Sequence, residues 1–173
     1  MTPAALPTFR TARLTLRQRT LADTEACLAM DRDPAVTRFI PGPWADPVQH
    51  RAFVEARTRG PYPTGLGYWT ILADTFLGWI LLVPLVHGEP AVEIGWRLRQ
   101  AVWGQGYATE AARAVLHHSF ATLNLPEIIA CIDPANTASC DVARKIGLQA
   151  GTTGASGSIR YALTRDAYRR AAT

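Results

Sequence analysis

Two glycines, Gly104 and Gly106, stand between a segment that alternates like a strand and one that continues as a helix. Upstream is Ala91-Val92-Glu93-Ile94-Gly95-Trp96-Arg97-Leu98; downstream, Tyr107-Ala108-Thr109-Glu110-Ala111 runs into Ala112-Arg113-Ala114-Val115-Leu116. A strand, a glycine turn and a helix start together point several unpaired backbone N–H groups at one spot, and the helix dipole adds to their pull on an anion. Glycine suits the turn because a Cβ would hold a ligand off the amides and resist positive φ. A phosphate is the natural guest. The run lacks the Gly-Lys-Ser/Thr ending of the nucleoside-triphosphate loop. It also lacks the third glycine of the dinucleotide fingerprint, since Thr109 stands three residues after Gly106. Taken alone, the pair is equally consistent with a mere tight turn.

A second patch follows about thirty residues on: Asn136-Thr137-Ala138-Ser139, then Lys145-Ile146-Gly147-Leu148. With Glu93-Ile94-Gly95-Trp96 and the run from Trp103 to Ala111, these stand in the order found in the GCN5-related N-acetyltransferases. The chain resembles in particular the branch of the ribosomal-protein N-terminal acetyltransferases. Leu14-Thr15-Leu16-Arg17 near the start and Tyr161-Ala162-Leu163-Thr164-Arg165-Asp166 near the end extend the resemblance over roughly residues 9–169. It implies an α+β fold of one domain. The expected sheet is mixed but mostly antiparallel, has about six to seven strands and is flanked by helices. Mid-sheet strands splay to hold acetyl-CoA.

At 173 residues the chain is long enough for one domain with a real core. No apolar run approaches the roughly 18 residues that span a bilayer, and the first residues lack the basic start and apolar core of a signal peptide. Cys27, Cys131 and Cys140 are odd in number and widely spaced, which argues for a reducing, cytoplasmic setting and against a disulfide framework. His50, His87, His117 and His118 show no metal-ligand spacing, so no metal is expected. The net charge of +4 comes from scattered arginines with a single lysine, not from a basic stripe, so neither a nucleic-acid nor a membrane partner is expected. Arginine-rich surfaces can instead steer the phosphates of coenzyme A. A homodimer is an expectation from relatives.

Along the chain, residues 1–8 read as a flexible leader and 170–173 as a tail. A first strand is expected over roughly 11–18, with Leu14 and Leu16 inward. Thr20 and Asp23 open a helix that Asp33-Pro34 ends; Asp46 and Pro47 open another that Gly60 closes. Strands are expected over 68–73 and 76–83 and up to about Arg99, with loops at 61–67 and 84–91. A helix should fill 106–123. Glu127 to Ile132 reads as a strand buried on both faces. A helix from Asn136 stops at Gly147, and a last strand lies near 158–164.

The resemblance implies transfer of an acetyl group from acetyl-CoA directly to a primary amine, without a covalently acylated residue. Such a reaction must bind coenzyme A, take a proton from the amine and return one to the thiolate. Carried over by motif, Trp96 and Leu98 offer strand backbone to the pantetheine arm, and Trp103, Gly104, Gln105, Gly106, Tyr107, Ala108 and Thr109 form the phosphate cradle. Asn136 braces the arm, with Ser139 beside it. The broader family begins its phosphate motif with Gln or Arg where this chain has Trp103. Many relatives carry a tyrosine acid seven residues after the Asn, where this chain has Ala143. Ser139 is therefore the candidate acid and Glu93 the candidate base. A carboxylate in an apolar strand is costly to bury unless hydrated or paired, which would raise its pKa toward a useful range. Its alternative is a carboxylate that braces a neighbour. Glu110 is read as ordering the loop. Trp44, Tyr68, Trp69 and Trp79 are read as core before acceptor groove. The acceptor is expected to be a protein or peptide N-terminal α-amine. A small amine or antibiotic, or a non-catalytic acyl-CoA-binding module, are the alternatives.

Overall fold

Leu14 and Leu16 are buried and Arg17 turns back to grip Asp23, but the segment around them is a hairpin and not the single strand expected. The computed structural model describes residues 5–85, 90–154 and 156–171. In it β1 (Phe9–Arg10) pairs antiparallel with β2 (Thr15–Gln18) around a turn in which Thr11 N–H donates to the Leu14 carbonyl at 2.9 Å. Residues 1–4 of the expected leader lie outside the described residues. Beyond them Leu6 packs on the core, and the Pro7 carbonyl accepts from the Trp69 indole at 2.8 Å.

Helix starts follow the capping residues. The Asp23 carboxylate accepts from Thr20 N–H at 2.9 Å ahead of α1 (Thr24–Asp31). Asp33 does end that helix, but it also begins another: its side chain accepts from Ala35 N–H at 2.9 Å, and Pro34 opens the short α2 (Pro34–Thr37). Proline has no N–H to lose at a first helical position, so the same dipeptide stops one helix and starts the next. Asp46 and Pro47 open α3 (Pro47–Arg59), which Gly60 closes at φ 73. Then come β3 (Gly67–Leu72), β4 (Phe76–Pro84) and β5 (Val92–Leu98). Half of the expected loop 84–91, residues 86–89, lies outside the described residues. The helix expected over 106–123 is α4 (Tyr107–His117) prolonged by a π-helical turn at His118–Thr122. β6 (Glu127–Ile132), α5 (Thr137–Lys145), β7 (Gln149–Thr153), β8 (Ile159–Thr164) and α6 (Arg165–Ala171) complete the order.

The sheet has eight strands in the order β1-β2-β3-β4-β5-β6-β8-β7, slightly more than expected. The β1 hairpin arm and β7 account for the excess. β7 is exposed along its length and sits at the sheet edge, so it has no apolar alternation to announce it. Every pairing is antiparallel except β5 with β6.

Alternation sorts the sheet's two faces. Trp69, Ile71, Ile80, Leu82, Ile94 and Leu98 bury one face against α4 and α5, whose Val115, Leu116, Cys140 and Ala143 join the same core. Tyr68 and Trp79 face the other way, against Cys27, Leu28 and Met30 of α1 and Val54 of α3. Glu93, Gly95 and Arg97 belong by the same period to this second face. Trp69 is fully buried and Tyr68 and Trp79 nearly so, which makes them core. Trp44 stacks edge-on with His50 and Phe53.

Under the second face lies a buried polar cluster. Asp31 is 2% exposed, accepts from Arg97 Nη1 at 2.8 Å and meets His50 Nε2 at 3.2 Å. The Arg97 guanidinium also lies 4.8 Å from the Trp79 ring and 5.0 Å from that of Trp44. Removing one member of a buried ion pair leaves the other uncompensated. Asp31→Ala is therefore expected to cost about 3–5 kcal/mol of stability, measured by urea unfolding. A loss within about 0.5 kcal/mol, the range of an ordinary surface substitution, would show that the pair does not hold α1 to β5.

Candidate active site

The glycine turn has the form expected of an anion cradle. Gly104 and Gly106 both adopt left-handed backbone, at φ 75 and 81, and Gly106 is the residue from which α4 starts. The first helical bond runs from Glu110 N–H to the Gly106 carbonyl at 3.0 Å. Among the described residues, no hydrogen-bond acceptor meets the N–H groups of residues 104–109. A Cβ built on Gly104 would meet nothing within 4 Å, so the space beside it is open.

Glu110 and Arg13 hold this loop in place. Glu110 Oε1 accepts from Thr11 Oγ1 at 2.6 Å and from Arg13 N–H at 2.9 Å, while Oε2 accepts from Arg13 Nε at 2.7 Å. Arg13 Nη1 goes on to the Gln105 carbonyl at 2.9 Å, and its guanidinium lies 4.5 Å from the Tyr107 ring. The first hairpin is thereby riveted to the loop. Arg13 lies 92 residues from Gln105 in sequence, so no local motif could reveal the contact.

Beside the loop the sheet opens. β4 and β5 pair from Pro84↔Val92 to Gly78↔Leu98, but β5 and β6 pair only at Val92↔Ile128 and Glu93↔Ile129. Arg99 N–H donates to Leu77 across β4 at 2.9 Å, so the two-residue period turns the backbone groups of Leu98 and Trp96 away from β4. They point into the gap. One is already taken: the Trp103 indole donates to the Leu98 carbonyl at 2.8 Å. This explains a tryptophan where the broader family has a polar residue. Trp103 pins the end of β5 to the loop and leaves its ring 46% exposed.

The gap widens into a cleft of about 620 Å³, within the size range of ligand pockets. Of the residues singled out in sequence, Trp96, Leu98, Trp103, Gly104, Gly106, Tyr107, Ala108, Thr109, Asn136 and Ser139 all line it. Gln105 does not; its carbonyl is bonded to Arg13. Asn136 uses its side-chain Oδ1 to cap α5 at Ser139 N–H, 3.2 Å away, which leaves its amide NH₂ for a ligand. Ser139 is half-buried in the first turn of α5, and Ala143 is fully buried one turn on. Glu93 lies outside the cleft lining, at the root of the gap, where its Oε1 accepts from Cys131 N–H at 3.2 Å. Burial pushes its pKa up, partly offset by that hydrogen bond. Sequence reasoning missed the far wall, contributed by Val36, Arg38, Phe39 and Ile40 of the α2 segment.

An open strand edge, a row of unpartnered amides and a glycine cradle suit a long ligand with a phosphate end and amides along its arm, which is the build of coenzyme A. The family model of the acetyltransferase (GNAT) domain matches residues 13–149. The chain is 31% identical to the FsC-acetyl coenzyme A-N(2)-transacetylase of Aspergillus fumigatus, over 98% of this chain and 81% of that protein. The chain belongs to the GNAT acetyltransferase family. A GNAT acetyltransferase structure from Bacillus anthracis superposes with a TM-score of 0.79 at 26% identity, covering 92% of this chain and 99% of the other. A Vibrio cholerae protein provisionally described as a ribosomal-protein-serine acetyltransferase shares the fold, with TM-score 0.73, 20% identity and coverage of 95% and 99%.

GNAT acetyltransferases use acetyl-CoA, and this chain is an N-acetyltransferase of that type. The two cradle glycines make separable contributions. Gly104→Ala adds a methyl group into open space, so its stability cost comes from the left-handed backbone alone, about 1–2 kcal/mol. Gly106→Val adds branching at the same backbone geometry beside Arg13 Nη2, 3.5 Å from a built Cβ. Both variants are expected to weaken coenzyme A binding at least about tenfold, roughly 1.4 kcal/mol or more, by calorimetry on folded protein. Folded variants that bind as tightly as the wild type would remove the phosphates from this loop.

Proposed function

We propose that the protein acetylates a primary amine directly, with a protein or peptide N-terminal α-amine as the acceptor, and that Glu93 and Ser139 move the protons. The supporting observation is the parting of β5 from β6 at Glu93, which sets a carboxylate at the root of the gap that widens into the cleft lined by Ser139. The branch resemblance of the motifs favours the α-amine. A small-molecule amine is the second reading, favoured by the likeness to the Aspergillus transacetylase. Residues 9–169 would form the catalytic domain, and three cysteines that form no disulfide fit a cytoplasmic setting.

In this reading, the amides of the glycine loop hold the pyrophosphate, while Trp96, the Leu98 N–H and the Asn136 amide hold the pantetheine arm. Acetyl-CoA supplies the activated acetyl group as a thioester. Glu93 receives a proton from the incoming ammonium, directly or through water, and frees the nitrogen lone pair. As the carbon–nitrogen bond forms and the carbon–sulfur bond breaks, Ser139 Oγ donates a hydrogen bond to the departing sulfur. A bond that strengthens as charge develops acts on rate more than on affinity.

Glu93→Gln keeps an oxygen for Cys131 N–H and removes basicity. The turnover rate is expected to fall by about 10²–10⁴ with coenzyme affinity spared. The acidic limb of the wild-type kcat/KM profile should lie above the ordinary carboxylate range and be absent from the variant. Stability moves the other way. A carboxyl whose pKa is raised by folding loses stability as pH rises through that folded pKa, so the uncharged Gln variant should be the more stable protein near neutral pH. An unchanged rate with chemistry limiting would leave Glu93 only as a brace for the gap.

Ser139→Ala is expected to lower kcat about tenfold, roughly 1.4 kcal/mol, with coenzyme affinity nearly intact. Loss of affinity at an unchanged saturated rate would make Ser139 a coenzyme contact and leave the sulfur to water.

A further inference from the structure

The charges around the cleft are unequal, and one of the cations, Arg38, stands on the wall that the coenzyme motifs do not explain. Arg38, Arg97 and Lys145 line the cleft, against a single carboxylate, Asp141, which is ion-paired to Arg144. Lys145 ends α5 on the coenzyme side. Arg38 lines the same cleft as the glycine loop and is the residue that ends α2. Its guanidinium is exposed, lies 5.1 Å from the Phe39 ring, and meets no carboxylate among the described residues.

Beneath that wall the surplus is buried. Arg97 and Arg19 both approach the Trp79 ring, at 4.8 and 5.7 Å, and Arg19 lies 3.9 Å from the Tyr68 ring. Among the described residues, Asp31 is the one carboxylate bonded to this pair, through Arg97. Arg97 Nε, Arg19 Nε and Arg19 Nη2 are buried without a hydrogen-bond partner. Unpartnered buried donors on positively charged groups raise the local potential and are met most cheaply by a negative group. This is the face on which Glu93 and Gly95 lie. At Gly95 the place a side chain would take between the carboxylate and Arg97 is filled by the Leu81 side chain, 3.3 Å from a built Cβ.

We infer that the acceptor is an amine that carries a carboxylate a few bonds from its nitrogen, and that Arg38 is the residue that reads it. The inference rests on the proposed acetyl transfer and narrows its substrate. A carboxylate drawn to the α2 wall would leave the amine free to reach Glu93. Polycationic acceptors, such as polyamines and aminoglycosides, would meet like charge on that wall, with Glu93 and the ion-paired Asp141 to attract them. Free amino acids and peptide N-termini followed by an acidic residue share this chemistry.

The test compares matched acceptors by release of free thiol. One arm uses alanine and glutamate against alaninamide and the diamide of glutamate, in which no free carboxylate remains. A second uses short peptides beginning with serine or alanine and followed by glutamate, glutamine or lysine. A third uses spermidine and an aminoglycoside. The wild type should favour carboxylate over matched carboxamide by about tenfold in kcat/KM, less at high salt because Arg38 is exposed. Whichever of the first two arms shows the larger ratio identifies the source of the carboxylate. Arg38→Ala should erase the ratio through acceptor KM, with kcat and coenzyme A affinity unchanged, and Arg38→Glu should reverse it toward the lysine peptide and spermidine. Equal use of acid and amide by the wild type, or preference for the polycations, would overturn the inference. So would a loss of coenzyme A affinity in Arg38→Ala, which would give Arg38 to the coenzyme phosphates. If no acceptor turns over, acetyl transfer to these amines has failed separately. Calorimetric titration of the same acceptors into the coenzyme A complex then decides, and equal binding of acid and amide there overturns the carboxylate reading.

Discussion

β5 and β6 meet through a short parallel ladder, Val92 with Ile128 and Glu93 with Ile129, and then separate. Backbone N–H and C=O groups bared in the middle of a sheet are costly unless something answers them. Two of the bared groups here are answered from within the chain, and others turn toward the cleft. Glu93 takes the N–H of Cys131, the Trp103 indole takes the carbonyl of Leu98, and the backbone of Trp96 remains for a ligand. Because the gap passes between strands, it joins the two faces of the sheet. One face carries α4 and α5 with the glycine loop; the other carries α1 and α3. In the proposed reaction, a coenzyme on one face and an amine on the other would meet there.

A sheet so weakly joined at its centre needs other ties across its elements. Two carboxylates supply them, each used more than once. Glu110 at the start of α4 binds Thr11 and Arg13, and Arg13 extends the tie to the loop carbonyl at Gln105. Asp31 at the end of α1 binds Arg97 on β5 and His50 on α3. Glu110 is partly exposed and its charge is screened, so its value is positional, fixing a loop whose own backbone bonds are missing. Asp31 is buried with its partners, and breaking that set would strand a cation in the interior.

Glu93 shows how stability and function compete at one residue. As a brace it satisfies a strand N–H at the fork; as a half-buried carboxylate whose pKa is raised by desolvation it disfavours the folded state near neutral pH. The proposed base role gives a reason to keep a charge at a place where a neutral amide would pack at least as well.

Much of this was legible in the chain itself. Alternation and caps marked most of the strands and helices, because Asp46-Pro47 or Asn136 act on neighbours within one turn. Gly104 and Gly106 marked the cradle for the same reason: positive φ is a property of a single residue. The second use of Asp33-Pro34 was missed because one dipeptide serves two helices, and β7 because an edge strand buries nothing that would impose a pattern. What tertiary structure alone decided are the relations between distant segments. Arg13 reaches Gln105, Trp103 spends its indole on Leu98, Asp31 meets Arg97, and the α2 segment with Arg38 closes the far side of the cleft. Local sequence encodes which backbone shapes a segment prefers. Which charge faces which, and where two strands part, depends on packing among segments that sequence separation keeps apart, and that is settled only when the core forms.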